Sequence, residues 1–459
     1  MTNGCKCLAI SACPCYNRYE GDQVKNFPVP ADAEKVLRTL TSRGYQAYFV
    51  GGCVRDSLLG LVPKDWDICT SALPEQIMEC FPRGSAYAWG IKHGTVCVKY
   101  GDHVCDITTF RSDGVYSDNR HPDRVAFVDD LYTDLSRRDF TVNAMAYSPD
   151  TGVADPFGGS VDAANKIVRC VGNAKDRFRE DSLRILRALR FCSVYGFEAE
   201  SATAEAINEC KTLLHNVSAE RVFKELCGIL SGKDAGDVYK SFPSVFEEII
   251  PELSPENADI DDKHAFISGS LCRSPLDPSL RLAVAFCASA AADPSAFASQ
   301  ECCERARRNA VAALKRLKTS NAVCIEVCDV ITNVCKVSDP SVPSVKRALC
   351  RSGIDGVKHA SLARRALGDA AFKLYAYKDI FDCERYIATA KSIVASGECF
   401  TLGSLAVNGS DLIGRSFPEG EAVGRALSAA LDAVIDGVIA NEKEAVLEFC
   451  TRFFAQEDA

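Results

Sequence analysis

The sequence predicts an α+β protein in which a mixed α/β segment comes first and an all-helical segment follows. Residues 48–170 alternate short β-branched runs with helical stretches and glycine turns. From about residue 171, Ala, Leu and charged residues recur at helical spacing to the end, with predicted breaks near 231–232, 251–255 and 396–397. A chain of 459 residues exceeds a single hydrophobic core and suggests about three domains.

The first elements form a strand, a glycine turn and a short helix. Residues 28–47 are predicted to be helical because apolar side chains recur at helical spacing from Ala33 to Leu40. Tyr48 to Val50 reads as a strand that runs into Gly51 and Gly52, and residues 54–59 as a helix. Glycines let a backbone approach a phosphate, and a helix N-terminus offers free N–H groups, so this turn predicts a phosphate-binding site.

Two aspartates one residue apart follow that turn. On a strand, residues i and i+2 point to the same face, so Asp65 and Asp67 would project side by side. Two adjacent carboxylates repel each other unless a cation holds them, and their hard oxygen atoms suit Mg²⁺. The pair therefore predicts a metal site beside a phosphate site.

A third carboxylate, Asp106, lies in a β-branched run that reads as a strand. Val104, Asp106 and Thr108 would share one face of that strand. An aspartate on an exposed edge strand is the structural alternative. We favour a metal site, because Asp65, Asp67 and Asp106 together would complete a two-metal cluster for nucleotidyl transfer.

Composition limits the compartment and the partners. The sequence has no uncharged apolar stretch of membrane-spanning length and no secretory leader pattern, so we expect a cytoplasmic protein without a membrane partner. Most of its 24 cysteines lie in apolar patterns, which predicts reduced core thiols. Cys5, Cys7, Cys13 and Cys15 form a cluster that could hold a metal or belong to a tail with reactive thiols.

The net charge of −9 is unusual for a protein that binds RNA, but the cations are clustered. Lys and Arg gather at 175–190, 305–318 and 346–365. Each cluster alone could be a solvated helix face. Together they predict a stripe that binds RNA phosphates in a salt-sensitive way.

Motifs in a fixed order reveal a family resemblance. The chain resembles the class II nucleotidyltransferases that add CCA to tRNA 3′ ends, and their bacterial poly(A) polymerase relatives. The similarity is dense over residues 30–230, faint in the middle, and returns near residue 405. The motifs are GGCVRD at 51–56, KDWDI at 64–68, HGTV at 93–96, DITTFR at 106–111, RRDFTVNAMA at 137–146, DPFGG at 155–159, REDSLRILRALRF at 179–191, ERVFKEL at 220–226 and LAVNGSDLI at 405–413.

The resemblance implies a polymerase β-like nucleotidyltransferase head followed by helical domains. The predicted parts are an extension at 1–27, the catalytic head at 28–170, a neck with a nucleotide-selecting helix at 171–235, an RNA-binding body at 236–395 and a tRNA-binding tail at 396–459. Implied partners are the tRNA 3′ end, CTP and ATP, and the implied cofactor is Mg²⁺; no protein partner is implied.

The resemblance also assigns roles to individual residues. Gly51, Gly52 and Arg55 match phosphate contacts. The ribose and triphosphate would be handled by Arg138, Asp139 and Asn143, with Asp139 accepting from a 2′-hydroxyl and Arg138 neutralising phosphate charge. Asp65 and Asp67 would hold two Mg²⁺ ions, and Asp106 would bind a metal ion or act as a base.

Base selection would fall to a helix ridge on which Asp181, Arg184, Arg187 and Arg190 recur every three residues. Cytosine and adenine present an amino donor beside a ring-nitrogen acceptor, whereas uracil and guanine present the reverse. A carboxylate only accepts and a guanidinium only donates, so Asp181 and Arg184 would match C and A. Arg187 and Arg190 would face the triphosphate or the neighbouring backbone. A surface helix with internal ion pairs is the structural alternative.

Several functions remain open within this class. The intact segment 111–122 argues for the ability to add A, and residues 90–96 differ from the poly(A) polymerase pattern. Full CCA addition is the main hypothesis. CC-only, A-only or poly(A) addition, a small-molecule nucleotidyltransferase and a non-catalytic RNA-binding relative are the alternatives.

Overall fold

The computed structural model describes residues 27–457, except 92–93, 102, 115–124, 255–259, 338, 416 and 418–419. The cysteine cluster at 5–15, His93 of the HGTV motif and most of the segment 111–122 therefore lie outside the described residues. The chain forms two compact units, Met1–Ile229 and Leu230–Ala459. The predicted α+β class is confirmed, since the strands precede a helical second half.

The first unit contains a seven-stranded mixed sheet with the order β3-β4-β5-β2-β1-β8-β9 and two small two-stranded sheets. Its strands are β1 (Ala47–Val50), β2 (Ile68–Thr70), β3 (Ala86–Gly90), β4 (Thr95–Tyr100), β5 (His103–Thr109), β6 (Arg111–Asp113), β7 (Val125–Phe127), β8 (Ala146–Ser148), β9 (Gly152–Ala154), β10 (Ile167–Val168) and β11 (Glu198–Ala199). Its helices are α1 (Ala31–Ser42), α2 (Gly52–Leu58), α3 (Pro74–Cys80), α4 (Leu131–Ser136), α5 (Gly159–Ala164), α6 (Ala174–Glu180), α7 (Leu183–Tyr195), α8 (Ser201–Cys210) and α9 (Ala219–Leu230).

Helix α1 covers the sheet with the apolar face that its sequence predicts. Ala33, Val36, Leu37 and Leu40 are buried in one cluster with Phe49 and other residues of the sheet. The helix is shorter than predicted. It ends at Ser42, because the following turn places Gly44 at a φ of 91°, a left-handed conformation that favours glycine.

Strand pairing decides where the aspartates lie. β2 runs antiparallel to β1 and parallel to β5, with Ile68 opposite Ile107. Asp67 and Asp106 each precede one residue of that pair, so they approach each other at the same end of neighbouring strands. β5 lies between β4 and β2 inside the sheet, which rules out the edge-strand alternative for Asp106.

The predicted continuous ridge from Asp181 to Arg190 is wrong at its start. α6 ends at Glu180, Asp181 has an extended backbone (φ −139°, ψ 101°), and α7 begins at Leu183. The cause is local, since a carboxylate oxygen of Asp181 accepts a hydrogen bond from the Leu183 N–H at 3.1 Å. Aspartate favours such capping over a helix interior, so only Arg184, Arg187 and Arg190 share α7.

The second unit is helical throughout its described residues. Its helices are α10 (Ala235–Ser241), α11 (Pro243–Ile249), α12 (Ile260–Arg273), α13 (Pro278–Ala290), α14 (Gln300–Arg316), α15 (Asn321–Val334), α16 (Val342–Tyr375), α17 (Cys383–Ser396), α18 (Gly409–Ile413), α19 (Glu421–Ile435) and α20 (Lys443–Glu457). α16 is interrupted at Gly353, whose φ is 64°. The breaks predicted near 231–232 and 396–397 coincide with the ends of α9 and α17.

A buried arginine holds part of the second unit together. Arg281 on α13 is 1% exposed. Its guanidinium donates to the backbone oxygens of Leu230 (2.7 Å), Ser274 (3.1 Å) and Gly232. None of these partners is charged, and burial lowers the pKa of the guanidinium. The side chain thus satisfies chain carbonyls that would otherwise be buried without donors.

The cysteines of the described residues stand as free thiols, and most of them are buried as the apolar patterns predict. Most are buried in both units, and burial raises the pKa of Cys53 and of Cys192 to about 12. Thiols in this state are poorly reactive. No described helix has the length and apolarity that crossing a membrane requires.

Candidate active site

The Asp65 and Asp67 side chains point to the same side of the chain, as predicted. Both are exposed, whereas Trp66 between them is buried against Phe49, with ring centroids 5.1 Å apart. Strand β2 begins only at Ile68, so the pair lies just before the strand. The alternation on β5 is also as predicted, because Val104 and Asp106 are exposed while Cys105 and Ile107 are buried.

The environment of Asp67 opposes its ionisation. Removal from water by the surrounding walls, followed by the negative charges of Asp106 and Asp65, raises the pKa of Asp67 to about 6. Arg138 offsets only part of this effect. Asp67 feels the negative charge of both Asp65 and Asp106, and a divalent cation would stabilise three such carboxylates, so the chemistry of these residues fits Mg²⁺. Within the described ranges, however, no three His, Cys, Asp or Glu side chains already stand in a metal-binding arrangement.

A cavity of about 660 Å³ opens beside the aspartates. Every predicted site residue contributes to its wall except Asp106, Asp181 and Arg184. The lining residues include Gly51, Gly52, Arg55, Leu61, Val62, Lys64, Asp65, Asp67, Arg138, Asp139, Asn143, Arg187, Arg190, Phe191, Val194, Tyr195 and Glu225.

The glycine turn stands at the end of β1. Gly51 adopts a φ of 77°, and its N–H donates to the Met145 carbonyl at 3.3 Å. A side chain at this position would be strained, and its Cβ would lie 3.4 Å from Arg138 Nη1. The glycine therefore lets the backbone pass close to the guanidinium of Arg138 with no side chain between them.

The guanidinium of Arg138 is held at Nη2 by an ion pair, whereas its Nε donor is unused. Its Nη2 lies 3.0 Å from the buried carboxylate of Asp134, which also pairs with Arg137 at 2.6 Å. Burial alone would raise the pKa of Asp134, but these two arginines hold it below its usual value. Arg138 Nε is buried and has no hydrogen-bond partner in the described part of the chain. A buried donor of this kind at a cavity wall fits an anion such as phosphate.

Arg55, predicted to bind phosphate, is already held by protein groups. Its Nη1 donates to Asn143 at 2.6 Å, and its Nη2 donates to Asp56 at 2.7 Å and to the Tyr195 hydroxyl at 2.8 Å. The guanidinium also lies 4.7 Å from the ring centre of Tyr195 and 5.0 Å from that of Phe191. These contacts hold Arg55 in the cavity wall, and its hydrogen bond fixes the position of Asn143.

Asp139 is ionised and fully engaged. Its Oδ2 accepts two bonds from Arg187, at 2.9 and 2.6 Å, and its Oδ1 accepts from Asn143 at 3.0 Å and from the Phe140 N–H at 2.8 Å. Burial would raise the pKa of Asp139, but Arg187 and the hydrogen bonds lower it to about 2. Four bonds occupy the lone pairs of a carboxylate, so a ribose hydroxyl would have to replace one of them.

Asp181 and Arg184 are not paired with each other in this structure. Asp181 forms an ion pair with Arg221 at 3.0 Å, and Arg184 forms one with Glu180 at 2.7 Å. Arg184 also donates to the Arg137 carbonyl at 3.2 Å. Both therefore belong to the wall behind the cavity rather than to its lining.

Sequence analysis missed several residues of the site. Asp134 could have been found, because an acid three and four residues before Arg137 and Arg138 is a helical ion-pair pattern. Tyr195 and Phe191 carried no such signal, since an aromatic residue on a helix is usually core. Glu225, which lies 3.4 Å from Arg190, comes from a distant helix.

Comparison with known proteins places this site in a class. Three family models match the chain: "Poly A polymerase head domain" over residues 47–169, "Probable RNA and SrmB- binding site of polymerase A" over 196–255, and "tRNA nucleotidyltransferase domain 2 putative" over 299–450. The fold and the cavity therefore define a protein with a nucleotidyltransferase head.

Individual relatives narrow the class. The chain is 45% identical over 210 residues to the CCA-adding enzyme of Lactobacillus delbrueckii subsp. bulgaricus, covering 46% of this chain and 52% of that one. It is 41% identical over 228 residues to that of Listeria monocytogenes serotype 4b, covering 50% and 58%. These alignments span about half the length of the curated relatives.

A solved structure extends the similarity along the whole chain. The structure of Bacillus stearothermophilus CCA-adding enzyme in complex with CTP is 30% identical, has a TM-score of 0.74, and is matched over 93% of this chain and 98% of that one. The Thermotoga maritima CCA-adding enzyme, 20% identical with a TM-score of 0.59, covers 92% and 94% and shares the fold. The chain belongs to the CCA-adding enzyme family.

Proposed function

We propose that this protein adds CCA to the 3′ end of tRNA from CTP and ATP without a nucleic-acid template. The observation that carries the proposal is the cavity, which joins the aspartate pair, the glycine turn and Arg138 in a member of this family. The complex of the Bacillus stearothermophilus relative with CTP supports a cytidine nucleotide as a ligand.

The aspartates would serve as metal ligands. Asp65 and Asp67 would hold Mg²⁺, with Asp106 as a further ligand or as a base. A bound divalent cation would activate the 3′-hydroxyl of the RNA and neutralise charge on the departing pyrophosphate. The pKa of Asp67 is raised by desolvation first and by the charges of Asp106 and Asp65 second, and a bound cation would offset both effects, which supports this role.

The cationic and polar part of the cavity wall would position the triphosphate and the ribose. Arg138 would donate its unused N–H groups to phosphate oxygens, while Gly51 and Gly52 leave space for close approach. Asn143, fixed by Arg55 and Asp139, would orient the sugar. For Asp139 to accept from a 2′-hydroxyl, Arg187 would give up one of its two bonds.

Base selection by Asp181 and Arg184 would require an exchange of partners. Asp181 would leave Arg221, and Arg184 would leave Glu180, before their free edges could meet cytosine or adenine. Arg187 and Arg190 already line the cavity and are placed to meet phosphate or backbone charge. The donor and acceptor pattern of the pair would still match C and A and oppose U and G.

We extend the proposal to the predicted parts of the chain: extension 1–27, head 28–170, neck 171–235, body 236–395 and tail 396–459. The unit boundary between Ile229 and Leu230 supports a division close to the end of the neck. The body and tail would bind tRNA. Free thiols throughout the described residues support a reducing compartment such as the cytoplasm.

The test is incorporation on a tRNA transcript that lacks its 3′ CCA, with Mg²⁺ and CTP, ATP or both, read at nucleotide resolution. We expect synthesis to stop after C, C and A. Asp65→Ala should abolish incorporation and leave tRNA binding intact, with Asp176→Ala, on the exposed face of α6, as the control. A CC product alone, or a long A ladder, would support the partial or poly(A) alternative. No incorporation by the unmodified protein would overturn the proposal.

A further inference from the structure

The segment between α2 and β2 presents apolar side chains to water at the cavity. Val62 is 90% exposed and Leu61 is 46% exposed, yet Pro63 beside them is buried. The Leu61 N–H donates to the Asp56 carbonyl at 2.8 Å, which ties the segment to the end of α2. The exposure of Val62 therefore occurs on an anchored segment, and it leaves apolar surface uncovered in water.

The segment also carries a cation, Lys64. Lys64 is exposed, lines the same cavity, and forms no ion pair with any residue of the described chain. Lys64, Asp65 and Asp67 all line this cavity, so the cation and the carboxylate pair face the same space. The combination of apolar surface and one cation differs from the Arg138 wall, which is charged and polar.

A single-stranded RNA end has the matching chemistry. Each nucleotide carries a flat base with apolar faces and one phosphate, and proteins bind such strands with apolar platforms and separate cations. A nucleoside triphosphate instead concentrates its charge at one end, where Arg138 offers unused donors. The RNA 3′-hydroxyl must come to the aspartates, which places the terminal nucleotide next to residues 61–64.

We propose that Leu61, Val62 and Lys64, here called the lip, bind the last nucleotide of the acceptor RNA. Val62 and Leu61 contact its base and ribose, and Lys64 contacts its phosphate. The lip positions the RNA and takes no part in bond making. This inference rests on the proposed function, because it assumes that an RNA 3′ end is the acceptor.

The first test is steady-state kinetics of the full chain with Val62→Ser and with Lys64→Gln. We expect KM for tRNA lacking CCA to rise roughly tenfold with Val62→Ser, while KM for CTP and kcat change less than about twofold. Val161→Ser is the matched control, because Val161 is 50% exposed, lies in the head and is outside the cavity. Val62→Met keeps an apolar side chain, so its KM for tRNA should be close to that of the unmodified protein.

A double-mutant cycle, in which Val62 and the last base of the RNA are each altered, distinguishes a direct contact between them from an indirect structural effect of the substitution. The binding of unmodified protein and of Val62→Ser is measured with tRNA transcripts whose last nucleotide carries or lacks its base. We expect the missing base to weaken binding to the unmodified protein and to have little effect on Val62→Ser. Equal weakening in both proteins, or a rise in KM for CTP that equals the rise for tRNA, overturns the inference.

The same binding measurement keeps the two proposals apart. If the unmodified protein adds nucleotides but Val62→Ser behaves like Val161→Ser, the lip is rejected and the proposed function stands. If no nucleotide is added but the base-dependent difference persists, the enzymatic proposal fails and the lip remains an RNA site.

Discussion

At the scale of single residues, Asp67 shows how a site can oppose folding. Its pKa of about 6 in the folded protein lies above that of a free aspartate, so folding favours the protonated form. The ionised carboxylate therefore destabilises the fold at pH above 6, and this penalty disappears as the pH falls below the value for the free group. A bound divalent cation would reverse it at neutral pH.

We expect Asp67→Asn to raise the unfolding temperature in a chelating buffer at pH 7.5. The rise should be small, about 1–2 °C, because solvent screens an exposed carboxylate. Mg²⁺ should stabilise the unmodified protein and have much less effect on the variant. Differential scanning fluorimetry with and without Mg²⁺ measures both effects. Equal stabilisation of the two proteins by Mg²⁺ would remove Asp67 from the metal site.

Residue patterns predicted the position of the three aspartates better than the contacts of Asp181. Asp106 could be placed because strand alternation is local and periodic, and the same alternation continues to Asp65 and Asp67 just before β2. The partner of Asp181 could not, because Arg221 lies on a separate helix, about forty residues away in sequence, and ion pairing across that distance leaves no periodic pattern. The helix break at Asp181 had a local signal in the capping chemistry of aspartate.

At the scale of elements, the motif DPFGG supports the site without contacting it. Asp155 accepts hydrogen bonds from the N–H groups of Gly159 (2.7 Å) and Ser160 (2.9 Å), at the start of α5. A Cβ on Gly159 would lie 2.1 Å from the carbonyl oxygen of Thr141. Thr141 begins the 3-10 turn Thr141–Asn143, so α5 sets the position of Asn143.

We expect Gly159→Ala to destabilise the first unit by about 2 kcal/mol or more, because backbone atoms cannot move aside as a flexible side chain can. Displacement of Asn143 should also raise KM for CTP. Chemical denaturation and kinetics measure the two effects. Gly424→Ala on α19 is the control, since nothing lies within 4 Å of its added Cβ and alanine favours a helix. Unchanged stability of Gly159→Ala would contradict the packing role of α5.

Several cations of the basic clusters make contacts within the protein that the sequence did not predict. Arg305 and Arg316 on α14 donate to the carbonyls of Ala290 (2.9 Å) and Ile249 (3.0 Å). Arg364 pairs with Asp379 at 2.9 Å and Arg347 with Asp436 at 2.6 Å. Much of the predicted phosphate stripe is therefore engaged in internal contacts, which a count of cations along the chain could not reveal.

At the scale of the whole molecule, each unit has its own means of stabilisation. The second unit depends on Arg281, which reaches three backbone carbonyls from α13. The recurrence of apolar residues at helical spacing predicted that this unit is helical. The sequence could not predict that a buried arginine donates to several carbonyls. Every residue has a backbone carbonyl, so these acceptors leave no pattern of residue types.

We expect Arg281→Met to lower the stability of the second unit by roughly 3 kcal/mol, because three buried carbonyls would lose their donor while the volume stays similar. Urea unfolding followed by circular dichroism measures the change. Arg452→Met on the exposed face of α20 should be nearly neutral. Equal behaviour of the two variants would show that the carbonyls find other donors.

The distribution of the free thiols gives the molecule a built-in set of reporters. Cys53, Cys69 and Cys192 are buried in the first unit, and Cys287, Cys383 and Cys450 are buried in the second. A buried thiol can be alkylated only when its surroundings open, so its labelling rate measures the free energy of that opening. Peptide mapping after pulsed alkylation would thus follow the unfolding of each unit separately, without the introduction of any probe.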